Sequence, residues 1–183
     1  MQKSALVRAI RLGLLSGLCL SSLGSSGCSG LISFDVNSQG NSTVPGSSPL
    51  LNLGGTPFSG FNNISFSQSQ AFQNNNTNKD HVSSARLTAF TLKVSAPSSQ
   101  DLSFLRSVSF KIKTSTLGPQ EIAHLESFPA GAKSVQLTLD DLELAPYVKS
   151  DSFTITTDAQ GQSPPQDTTL EADLTLHIGA SIL

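Results

Sequence analysis

The chain has 183 residues and a formal charge of −2, with 37% hydrophobic, 13% charged and 6% aromatic residues. That length holds one domain with a real core plus accessory segments, and is too short for two ordinary domains. A near-neutral chain without a clustered basic excess lacks the electrostatic footprint of a nucleic-acid-binding protein, so no nucleic-acid partner is expected.

The first element in chain order is an export signal over residues 1–27. Lys3, Arg8 and Arg11 are the only basic residues before Lys79, and an apolar run from Leu12 to Leu23 follows them. Crossing a bilayer as a helix takes about 20 largely apolar residues. This run is shorter and ends in Gly24, Ser25, Ser26 and Gly27, the small residues a signal protease accepts.

Cys28 follows directly. The segment Leu23-Gly24-Ser25-Ser26-Gly27-Cys28 resembles the lipobox of bacterial lipoprotein precursors, with Ser25 where that family prefers leucine. The resemblance covers the first 28 residues. It implies lipidation at Cys28: a diacylglyceryl group on the thiol and, after cleavage, a third acyl chain of the palmitate kind on the new α-amine. Cysteine usage agrees. Cys19 lies in the discarded run, so the mature chain has one thiol, at its first residue, and no internal disulfide is possible. After processing, eight basic residues face thirteen acidic ones, a net of −5. That charge is repelled by anionic headgroups, so attachment to the membrane then depends on the acyl chains, of which several anchor stably where one is marginal. By the same resemblance, Ser29 and Gly30 lack the aspartate linked to inner-membrane retention, which favours the outer membrane.

Composition divides the remainder near residue 79. All nine Asn lie between Asn37 and Asn78, and no charged residue occurs from Val36 to Asn78. Such polar tracts seldom bury enough apolar surface to offset ordering. Residues 28–78 therefore read as a loosely structured, lipid-anchored segment with one early strand at Ile32, Phe34 and Val36. Its apolar islands, among them Phe58, Phe61, Ile64 and Phe66, are expected to dock on the domain that follows.

From Lys79 the texture changes to period-two alternation, the mark of half-buried strands. Strands are predicted at 85–95, 107–113, 121–125, 133–139, 152–157 and 168–178. Short helical turns are predicted at 78–84 with Asn78 or Asp80 as cap, at 101–105, and within 140–148. With the early strand this makes about seven. The expected fold is all-β, an antiparallel sandwich of immunoglobulin-like architecture over 79–183, with a small closed barrel as the alternative.

Candidate sites are sparse. Glu171, Asp173 and His177 share the outward face of the last strand, and Asp140, Asp141 and Glu143 cluster before Tyr147. Neither set has the calcium-loop spacing, and no His-Glu-x-x-His occurs, so both read as solvated faces and no metal or cofactor is assigned. His81, His124 and His177 are far apart, and no Gly-x-Ser-x-Gly elbow is present, so no catalytic residue is assigned and no enzyme is expected. With no Trp and one Tyr, flat sugar-stacking surface is scarce, and Tyr147 is expected to bury its ring at a sandwich corner. The functional expectation is an exported, lipid-anchored envelope protein carrying a structural or protein-interaction sandwich. The alternative is a ligand-, glycan- or calcium-binding module at the sandwich loops.

Overall fold

The structure is a computed structural model that describes residues 30–46, 51–52, 56–66 and 69–183. Cys28 and the export signal lie outside the described residues. Among the described residues ten strands form: β1 (Leu31–Val44), β2 (Leu51–Asn52), β3 (Thr56–Pro57), β4 (Val82–Ala96), β5 (Leu105–Lys113), β6 (Gln120–Leu125), β7 (Ser134–Gln136), β8 (Thr138–Leu139), β9 (Thr154–Gly161) and β10 (Thr168–Ser181). Two short helices, α1 (Gln70–Asn74) and α2 (Ala145–Val148), and a 3-10 turn at Lys79–His81 complete the secondary structure.

The strands form two antiparallel sheets. One runs β1-β10-β4-β7, and the other runs β2-β9-β5-β6-β8 with β3 also on β9. Among the described residues no ladder joins the sheets into a closed barrel, and the fold is an all-β sandwich. An immunoglobulin-like sandwich places its last strand in the second sheet, beside the strand that precedes it. The last strand departs from that plan, lying between β1 and β4 instead of beside β9.

Strand count exceeds seven for two reasons. Segment 133–139 divides: β7 pairs with β4 in the first sheet, and β8 pairs with β6 in the second. Between them the Leu137 N–H donates to the Phe90 carbonyl at 2.9 Å, so one short stretch switches layers at the sandwich edge. The two-residue strands β2 and β3 supply the remainder.

The change of composition at residue 79 is not a boundary in the packing. β1 pairs with β10 over its whole length, from Leu31 opposite Ser181 to Val44 opposite Thr168. Its inward positions include Ser38, Gly40 and Ser42, which leave space, and the segment 58–66 fills it. Phe58 and Phe61 are fully buried. Phe61 meets Phe90 of β4 edge-on at 6.2 Å, while Phe58 meets Phe110 of β5 at 5.6 Å, so the pair links the two sheets. Gly60, with φ of +91°, turns this segment against β1, where an added Cβ would lie 2.5 Å from the Gln39 carbonyl oxygen. Phe66 and Phe72 are also buried, Phe66 against Phe153 and Phe72 against Phe34. The predicted islands therefore dock, and burying each such ring contributes about 1.5–3 kcal/mol.

Local chemistry explains the turns. Asn78 caps the 3-10 turn, its side chain accepting from the Asp80 N–H at 2.9 Å, and Asp101 accepts from the Ser103 N–H at 2.9 Å in an Asx turn. Tyr147 is buried, and its hydroxyl donates to the Gly118 carbonyl at 3.3 Å, as expected for a corner tyrosine.

Candidate functional site

Among the described residues three places concentrate chemistry, and the strand geometry that builds each one decides what it can do. On the outer face of the first sheet, β1, β10 and β4 present a polar ladder. Lys93 bridges Glu171 at 2.6 Å and Asp173 at 2.9 Å, and Gln39 on β1 donates to the same two carboxylates. Hydrogen bonds to Glu171 and Asp173 raise the Lys93 pKa above its ordinary 10.5. For Asp173, partial burial pushes the carboxyl up, but hydrogen bonds from Lys93 and Gln39 outweigh it and leave the pKa below 3.8. His177 stands apart, its Nδ1 2.8 Å from Asp35 on β1. At about 3.3 Å per residue, four positions along β10 separate it from Asp173 by roughly 13 Å. Glu171, Asp173 and His177 thus form cross-strand pairs rather than one ligand set.

The acidic run before Tyr147 also disperses. Asp141 pairs with Arg86. Glu143 accepts from the Ala85 N–H at 2.7 Å and the Ala145 N–H at 2.9 Å, tying α2 to β4. Asp140 alone turns toward chemistry, joining Glu121 and His124 from β6.

This second place depends on a bulge. β5 pairs Phe110 with Ala123 and Lys111 with Glu121, leaving Ile122 as the extra residue. In a regular strand residues three apart face opposite sides. The bulge turns Ile122 and Ala123 into the core together and leaves Glu121 and His124 outside it. The Asp140 N–H donates to the Ile122 carbonyl at 3.1 Å, which fixes Asp140 beside them. His124 Nδ1 lies 3.2 Å from Glu121 Oε1 and 3.7 Å from Asp140 Oδ1. Glu121 and His124 also border a groove over the outer face of β5 and β9, whose walls include Ser109, Lys111 and Asp158.

The third place is an apolar pole. Leu31, Ile182 and Leu183 are 78%, 44% and 73% exposed, and they are the exposed large hydrophobic residues of the described structure. They lie together because β1 begins where β10 ends, and the Ile182 N–H donates to the Gly30 carbonyl at 3.1 Å.

For nucleophilic chemistry the histidines are wrongly partnered. His81 faces the Ser181 hydroxyl at 3.3 Å, whereas His124 and His177 face carboxylates. Among the described residues no histidine joins a serine to an orienting acid. No helix of the described residues is long and apolar enough to cross a membrane. No family model and no curated protein matches the chain.

Sequence reasoning placed Tyr147 and the docking phenylalanines correctly. It missed the grouping of Glu121, His124 and Asp140, because the bulge that aligns the first two depends on pairing with β5. The signal available was the apolar pair Ile122-Ala123 breaking the alternation.

Proposed function

We propose that this is an exported envelope protein, anchored in the outer membrane by acyl chains on Cys28, whose sandwich is a non-catalytic structural or protein-interaction module. The observation that supports it is the apolar pole. Cys28 precedes Leu31 by three residues, a reach of about 10 Å. Acyl chains at Cys28 would therefore hold Leu31, Ile182 and Leu183 close to the headgroup region, where exposed apolar side chains are stabilised rather than costly. The hydrogen bond between Gly30 and Ile182 supports this reading by holding residue 30 at the same pole. The cross-bonded polar ladder on β1, β10 and β4 suits a solvated or partner-facing wall of such a module.

The test is fractionation together with intact mass. The native protein is expected in the membrane fraction, beginning at Cys28 and carrying the mass of its acyl chains, and the Cys28→Ala variant in the aqueous fraction. Unmodified native protein starting at another residue and recovered from the aqueous fraction would overturn the reading.

A further inference from the structure

We propose that Glu121, His124 and Asp140 form a binding site for one divalent transition-metal ion of the zinc class, independently of lipid attachment. The three side chains are the described group in which three His, Asp or Glu ligand atoms all lie within 4.8 Å of one another. In a tetrahedral zinc site, bonds of about 2.0–2.1 Å put ligand atoms roughly 3.4 Å apart. The separations of 3.2 and 3.7 Å from His124 Nδ1 bracket that value.

A second observation comes from the hydrogen bonds. His124 Nδ1 and Asp140 Oδ2 are shielded from solvent and make no hydrogen bond, although Glu121 Oε1 lies 3.2 Å from that nitrogen. Shielded polar atoms are normally paired, and leaving one unpaired costs about 1–3 kcal/mol. A cation between them would satisfy both. Neighbouring acids show the contrast, since Asp141 and Glu143 are already engaged by Arg86 and by backbone N–H groups.

Donor chemistry selects the ion. One imidazole nitrogen with two carboxylates suits zinc and its transition-metal neighbours, while calcium and magnesium prefer all-oxygen shells with more ligands. Three protein ligands leave a further position, which can be filled by water on the side of the groove. The backbone gives the ion a structural consequence. β8 is held to β6 by two register pairs, Ala123 with Leu139 and His124 with Thr138, and an ion joining His124 to Asp140 would staple that edge.

Calorimetric titration of the purified, metal-stripped protein with zinc chloride tests the site. One ion per chain is expected, with a rise in Tm of about 5 °C at zinc a hundredfold above Kd. His124→Ala and Asp140→Asn are expected to weaken binding at least tenfold, while His177→Ala leaves it unchanged. Imidazole resonances of the unaltered protein supply a readout that needs no variant: zinc should shift those of His124 and leave His81 and His177 in place. Absence of binding at millimolar zinc, an unchanged affinity in His124→Ala, or a shift at another histidine instead would each overturn the proposal.

Discussion

β1 and β10 are neighbours of equal length, each of 14 residues and matched pair by pair, yet they are built on opposite principles. β10 carries its own core face, with Leu170, Ala172, Leu174, Leu176, Ile178 and Ala180 all buried. β1 opposes Leu174 with Ser38 and Ala172 with Gly40. Its place in the sheet comes from backbone pairing to β10 and from rings that another segment lays across it. A strand can therefore be specified by its partners as firmly as by its own side chains.

Four measurements would break or sharpen this comparison, each by chemical denaturation. Phe61→Ala should have the largest effect, about 3–5 kcal/mol, because it empties the space over β1 and removes the contact with Phe90. A loss below 1 kcal/mol would show that β1 does not depend on the imported ring. Leu174→Ala should cost about 2.7–5 kcal/mol, while Ser38→Ala, its register partner, should stay within about 0.5 kcal/mol. Equal effects at the two positions would erase the distinction between the strands.

Gly40→Val probes the close approach directly. A Cβ there would meet the Ser59 carbonyl oxygen at 2.9 Å and Phe58 and Phe61 at 3.0 Å, so overpacking of about 1–3 kcal/mol is expected. The smallest effect should come from the polar ladder, where Asp173→Asn is expected to cost about 0.2–1 kcal/mol at neutral pH. Its sign with pH is definite. The folded pKa of Asp173 lies below 3.8, so its contribution is present above that value and is lost as pH falls through the folded pKa. Stability of the variant should therefore fall less steeply with acid than that of the parent.

How much was legible in the sequence follows the same divide. β4, β5 and β10 announce themselves because their alternation is written in Leu, Ile, Val and Phe. For β1 only the first apolar positions stand out, since Asn37-Ser38-Gln39-Gly40-Asn41-Ser42 has the composition of a linker. No local signal marks a strand whose stabilisation resides in β10 and in Phe58 and Phe61. The break at Leu137 was hidden for a related reason: alternation continues through it, and only the change of partner, from β4 for β7 to β6 for β8, separates the layers. The candidate site was the least legible. Glu121 and His124 face the same way because of a bulge defined by another strand, and Asp140 reaches them through a backbone bond to Ile122.

The uninterrupted register of β1 with β10 has a mechanical consequence. Tension between the start of β1 and the opposite end of the sandwich runs along the axis of β1, parallel to the interface with β10 and across its hydrogen bonds. Fourteen register pairs then share the load at once, as in a lap joint, instead of opening one after another like a zipper. A body tugged from that end resists with the strength of the whole seam.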